Sequence, residues 1–296
     1  MIVRLCLSAL LLALAACATP PEVKEAPPAP PPKALFKPTP KIALALGGGA
    51  VRGFAHVGVI KTLEAHGIVP DMVVGTSAGS VVGALYAAGY GGFDLQKVAF
   101  LLEQDSIGDF AMPDRGFVKG EQLQNFINRF VQQRPLEKLN KPFAAVATDL
   151  QSGEMMVFRN GNSGMAVRAS SSVPGVFQPV KIGGREYVDG GLVSPIPVKA
   201  ARAMGADIVI AVDISSKPKH GKVKDTLDIL LQTFNIMGQG LGRYEMLDAD
   251  VVIQPGIGTI GATEFEQKHL AIMEGEKAAL AALPLIREKL RKWSVK

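Results

Sequence analysis

Cysteine is nearly absent from this chain of 296 residues. Its two cysteines, Cys6 and Cys17, both fall within the first 17 positions. A mature chain that keeps at most one of them can form no internal disulfide and no cysteine-based metal site. Histidine is scarce as well. His56, His66, His220 and His269 show no pairing at metal-ligand spacing, so no metal site is expected. Aromatic residues make up only 6% and no dense Lys/Arg block occurs, which argues against a nucleic-acid partner. The net charge of +5 is mild and leaves room for a weak preference for anionic membrane surfaces. No apolar run approaches the ~20 residues of a membrane-spanning helix. No internal repeat is visible. What is present is a hydrophobic content of 48% with 20% charged residues, enough to build a sizeable core.

The first 16 residues have the form of a secretory leader: Arg4, an apolar run from Leu5 to Ala16, and small residues at its end. Leu14-Ala15-Ala16-Cys17 resembles a bacterial lipobox. That resemblance implies cleavage before Cys17 and lipidation of that cysteine. Ala18 in place of Asp implies sorting to the outer membrane, facing the periplasm. An ordinary cleaved signal with an incidental Cys17 is the alternative. Residues 17–40 then form a lipidated cysteine and a Pro-rich spacer without apolar periodicity, extended at about 3.1 Å per residue. The folded domain is expected from Lys41 to the end, 41–296.

Met72-Val73-Val74 leads into Gly75-Thr76-Ser77-Ala78-Gly79, and a helix of small and apolar residues follows. Strand, sharp turn with serine at its apex, helix: this is the context of a G-x-S-x-G nucleophile elbow. A Gly-rich turn holding an ordinary serine fits the same residues. Upstream, the buried strand Ile42–Leu46 runs into Gly47-Gly48-Gly49-Ala50-Val51-Arg52-Gly53, with a helix over Phe54–His66. A dinucleotide-binding loop is a poor fit, because no acidic residue ends the next strand. A Walker loop fails for want of Gly-Lys-Ser/Thr. The remaining use is an oxyanion hole built from the amides of Gly47, Gly48 and Gly49, with Arg52 holding the loop or adding positive potential. Further on, Tyr187-Val188-Asp189-Gly190-Gly191 sets a carboxylate at a strand end. A plain turn aspartate is the alternative there.

Together these motifs resemble the patatin-like phospholipase family, in order and spacing, over residues 41 to about 255. The resemblance implies a three-layer α/β/α domain with a central, mostly parallel sheet. It also implies a Ser–Asp dyad, with Ser77 as nucleophile and Asp189 as base, framed by Gly53, Gly75, Gly79, Gly190 and Gly191. The substrate would be a lipid or other acyl ester, with no metal and no organic cofactor. Ser170, Ser171 and Ser172 lack the elbow frame and read as structural. Residues 103–120 read as a surface loop or as a rim over an acyl groove. Ser215 to Lys224 reads as a basic loop.

The rest of the chain supplies expected helices over Lys119–Val131, Pro197–Met204, Leu227–Leu247 and Glu264–Trp293, the last broken or kinked at Pro284. Strands are expected at Phe143–Ala147, Met155–Phe158, Asp207–Asp213 and Ala249–Gln254. Two rival functions stay open. One is an α/β-hydrolase with a Ser–Asp–His triad through His220 or His269. The other is a lipid-binding lipoprotein with a silent site. Oligomeric state is not legible.

Overall fold

The computed structural model describes residues 39–103, 109, 116–215 and 226–293. The expected leader, Cys17 and the Pro-rich spacer lie outside the described residues. So do most of the 103–120 segment (Asp105, Gly108, Phe110, Met112 and Pro113 among it) and the basic stretch with His220. Residues 38–296 form one compact unit.

Three apolar runs make the centre of the sheet: β1 (Ile42–Leu46), β2 (Met72–Thr76) and β7 (Ile208–Val212). β1 and β7 are apolar along their whole length, and β2 up to Thr76, because both faces are covered, the usual condition of a parallel sheet. The full sheet has eight strands, adding β3 (Phe143–Asp149), β4 (Met155–Phe158), β5 (Val180–Ile182), β6 (Arg185–Asp189) and β8 (Val251–Ile253). The order is β5-β6-β3-β2-β1-β7-β8, with β4 also paired to β3. The pairs from β3 through β8 by way of β2, β1 and β7 are parallel. Those of β4, β5 and β6 are antiparallel.

Alternate residues of each strand feed two different cores. Leu44, Leu46, Val73, Ile210 and Val212 pack on one face with α1 (Phe54–Ala65), α2 (Ala78–Ala87), α3 (Gly92–Leu101) and α8 (Lys268–Trp293). Ala43, Ala45, Val74, Val209 and Ala211 pack on the other with Val198, Ala200 and Ala201 of α6 (Val198–Ala203). The result is the expected α/β/α sandwich. The remaining helices are α4 (Glu121–Phe130), α5 (Ser163–Ser170) and α7 (Thr226–Met246). The Asp109 carboxylate caps α4 by accepting from the amides of Gly120 and Glu121 at 2.6 and 2.7 Å.

The expected break at Pro284 does not occur. α8 runs unbroken from Lys268 to Trp293 with Pro284 inside it. Packing explains the tolerance, because α8 lies tightly along α1. A Cβ on Gly58 of α1 would sit 2.0 Å from the Ile272 carbonyl oxygen, and one on Gly275 of α8 would sit 2.0 Å from that of Ala55. Paired glycines let the two backbones touch, and Leu283 and Ile286 on either side of the proline are buried. That packing outweighs the one hydrogen bond a proline removes. The helix α3 and the strand β5 were not expected from the sequence.

Candidate active site

One residue separates β2 from α2, and it makes the whole reversal. Ser77 has φ 53° and ψ −124°. Few non-glycine residues hold a positive φ, and where they do the fold must impose it. The flanking glycines permit the crossing of strand and helix. A Cβ at Gly75 would lie 2.3 Å from the Gly79 carbonyl oxygen, and one at Gly79 would lie 2.1 Å from that of Leu46. The turn is then tied down. The Ser77 amide donates to Ser170 Oγ at 2.9 Å, and that hydroxyl donates to the Val146 carbonyl at 2.6 Å. Ser80 Oγ donates to the Ser77 carbonyl at 2.7 Å. Ser170 is therefore the structural serine the sequence suggested, in direct service of the elbow.

Strand register brings Asp189 to the same place. Val146 of β3 pairs both Thr76 of β2 and Val157 of β4, so those two strands lie on opposite edges of β3. Ala147 pairs both Met156 of β4 and Asp189 of β6, so β6 takes the edge that β2 has just left. Thr76 and Asp189 thus face consecutive residues of β3, and the two chain ends meet head to head. Gly190 lies against the Val146 carbonyl, where a side chain would not fit.

The Asp189 carboxylate is 6% exposed. Its Oδ1 accepts the Gly191 amide at 2.7 Å, while Oδ2 is buried without a formed hydrogen bond. Burial pushes the group up to about 6. The Ser77 hydroxyl beside it and the Gly191 amide pull the other way by favouring the charged form. The backbone is fixed as well. The Asp189 amide donates to the Ser172 carbonyl at 2.9 Å, and Thr148 Oγ1 donates to the Asp189 carbonyl at 2.8 Å.

The glycine loop departs in part from expectation. The Gly47 amide donates to the Val212 carbonyl and the Gly48 amide to the Pro195 carbonyl, both at 3.0 Å. The first simply extends the β1–β7 ladder by one residue, and the second docks the loop on the segment before α6. Neither amide is free to receive an oxyanion. The Gly49 amide has no acceptor among the described residues. Gly48 does adjoin Ser77: a Cβ there would lie 3.2 Å from Ser77 Cβ. Arg52 is buried and spent on backbone, donating to the carbonyls of Ile214 at 3.0 Å and Ile260 at 3.4 Å. Burial lowers its pKa and the charge of Asp213 partly compensates. It holds the loop, the first of the two roles read from the sequence. Gly53 touches Ala78, the first residue of α2.

A family model described as Patatin-like phospholipase matches residues 44–202, more than half of the chain and the span that holds all three motifs. The chain belongs to this family. It is 29% identical over 269 residues to an uncharacterised NTE family protein of Mycobacterium bovis, covering 82% of this chain and 46% of that one. It is 35% identical over 184 residues to the mouse patatin-like phospholipase domain-containing protein 6, covering 60% of this chain and 14% of that protein. The patatin-like chain therefore spans half or less of the length of these curated relatives. Among solved structures, VipD from Legionella pneumophila matches with a TM-score of 0.56 at 14% identity, over 83% of this chain and 67% of that one. That likeness concerns the fold.

Sequence reasoning missed two supports of this patatin-like site. His56 is fully buried and its Nε2 donates to the Gly47 carbonyl at 2.8 Å. Burial drops it to about 4, so the ring is neutral, with Nδ1 unpartnered. Glu245 of α7 accepts from Ser194 Oγ at 2.5 Å and from the Ile196 amide at 2.9 Å. Between those two residues stands Pro195, which holds Gly48, and the Ser194 carbonyl accepts from Thr76 Oγ1 at 2.8 Å. Burial raises Glu245 to about 7. Among the described residues, no histidine is one of the groups acting on Asp189. His269 instead stacks on Phe100, with centroids 4.5 Å apart, and His220 lies outside the described residues. Among the described residues there is no cluster of three or more potential metal ligands.

Proposed function

We propose that this chain is a lipid acyl hydrolase working through a Ser77–Asp189 dyad. The observation that carries the reading is the pairing of a strained serine with a buried carboxylate whose Oδ2 has no other partner. Ser77 Oγ attacks the ester carbonyl carbon and gives its proton to Asp189. The tetrahedral intermediate collapses, and the leaving alcohol takes that proton. Water then adds to the acyl-serine, passes a proton to Asp189, and frees the fatty acid as Ser77 is restored. The negative oxygen is held by the free Gly49 amide and by the amide of Ala78 at the N-terminus of α2, whose dipole favours it. A base near pKa 6 is a better proton acceptor than an ordinary aspartate at about 3.9. Family membership supports a phospholipid or related glycerolipid ester as substrate.

Hydrolysis of a mixed lipid panel, read by mass spectrometry, tests this with Ser77→Ala and Asp189→Asn beside the parent chain. Fatty acid released by the parent and lost in both variants supports the dyad. Equal release from all three removes Ser77 as nucleophile. Absence of turnover together with no labelling by a fluorophosphonate would leave the chain a lipid-binding protein.

The leader and Cys17 belong to the same proposal: an exported lipoprotein, anchored by acyl chains on Cys17 and sorted to the outer membrane. Intact mass of the membrane fraction is the check, and a Cys17 without added acyl mass removes the anchor.

A further inference from the structure

The helix α7 is built in two unlike parts. At its C-terminal end Gly242 and Glu245 are buried, and Glu245 grips Ser194 and Ile196 as described. From Ile229 to Leu241 no residue is fully buried. Ile229, Leu230, Ile236 and Met237 are 45 to 56% exposed, and Tyr244 and Leu247 more so. At 3.6 residues per turn, Ile229, Ile236, Met237 and Tyr244 fall on one face. No side chain from Ile229 to Gly242 carries a charge. A helix facing only water normally presents the reverse pattern, so this one is built to be covered.

Its inner side says where. Gly238 lies opposite that face, and a Cβ there would come 3.9 Å from the carbonyl of Gly191, the residue whose amide holds Asp189. The chain reaches α7 from β7, whose C-terminal end stands in register with Leu46 and so beside the glycine loop. The apolar face is thus the outward side of an element that touches the catalytic turn. The eleven residues before α7 hold Lys217, Lys219, Lys222 and Lys224 against one acidic residue, Asp225.

We propose that α7 is an interfacial docking helix that lays its outer face on an anionic lipid surface and sets the Ser77–Asp189 edge against it. The face has the properties of a helix lying in the plane of a membrane: large aliphatics and a tyrosine, a single exposed arginine, Arg243, at its C-terminal edge, and lysines beside it in sequence. Acidic headgroups complement Arg243 on this face, whereas a second copy of the same chain would oppose it with like charge. The assignment rests on the hydrolase reading for its purpose, but its test does not need turnover.

Flotation of the compact unit from Pro38 onward, carrying Ser77→Ala, measures binding to phosphatidylcholine vesicles with and without phosphatidylglycerol. Binding that strengthens with the anionic lipid is expected. The double variant Ile236→Asp/Met237→Asp should weaken it about tenfold or more, because two aliphatic groups are replaced by charges the lipid repels. Ile229→Asp, on the same face, serves as an independent variant, and an unchanged near-ultraviolet spectrum shows each is folded. With Ser77 restored, hydrolysis of vesicle lipid should fall while that of a short water-soluble ester stays within about twofold. Parent-like vesicle binding by the folded variants overturns the proposal. So does a dimer in sedimentation velocity that the same substitutions split. If the hydrolase reading fails instead, the soluble ester is not cleaved by any form, while binding still responds to α7.

Discussion

In the proposed mechanism Asp189 must take a proton from an alcohol and yet be ionised beforehand. With a folded pKa of about 6, kcat/KM for a soluble ester should rise through pH 6 and level above it, falling about tenfold per unit below. A flat profile from pH 5 to 8 would falsify Asp189 as the base. The same shift bears on stability. An unfolded aspartate releases its proton near 3.9, and the folded one holds it to about 6. Between those values the folded state binds the extra proton, so this group's contribution declines as pH rises, and its cost is complete above 6. Asp189→Asn removes that cost. It should raise the melting temperature at pH 7.5 while abolishing turnover, and calorimetry of the two proteins checks it. Glu245 makes the opposite case, since it serves two donors in the interior. Glu245→Ala leaves the Ser194 hydroxyl and the Ile196 amide unpaired, a loss of about 3 kcal/mol. It should lower kcat more than it raises KM, because the elbow and the glycine loop both lean on residues 194–196. Ser77 stood out through a local signal, a turn and its flanking glycines, whereas Asp189 in its D-G turn was singled out only through the family resemblance. Glu245 was not, since its partners stand about 50 residues away in sequence. Nothing in a lone glutamate on a helix announces them.

Elements were legible where both faces of a strand are buried, or where a helix has one apolar side. β1 and β7 are continuous apolar runs, and α4 places Leu123, Phe126 and Ile127 inward. α3 was missed because Gly91 and Gly92 introduce it and the exposed Phe93, Phe100 and Leu101 blur the apolar face of Leu95, Val98 and Ala99. Of the break or kink read at Pro284, the break does not occur, because proline speaks for the isolated helix, while the fold presses α8 onto α1. The glycine crossing of these two helices offers a direct test. Gly275→Ala gains helix propensity of up to 1 kcal/mol but forces a methyl into the Ala55 carbonyl. The clash dominates, with a net loss of about 2 kcal/mol. Urea unfolding checks it, and a midpoint at or above the parent's would refute the tight crossing.

At the scale of the molecule, the motifs and the architecture are separable. Every family motif lies before residue 202. The struts that hold them do not. Arg52 leans on the Ile260 carbonyl, Val51 on that of Ala262, and residues 194–196 on Glu245. The far ends of the sheet and α8 could not be tied to the site from sequence, since no local pattern records a contact 200 residues distant. A chain ending at Gln254 keeps every recognisable motif yet uncovers the side of α1 that packs on α8. It should aggregate and fail to label with a fluorophosphonate, and near-parent labelling would show the struts to be dispensable.

Those struts also set an order in time. Ribosomes deliver Ser77, Asp189 and the glycine loop long before Ile260 and Ala262. A chain two-thirds made therefore owns both Ser77 and Asp189 but not the frame that aims them. Any activity against membranes would be withheld until the last third has emerged and closed behind the loop.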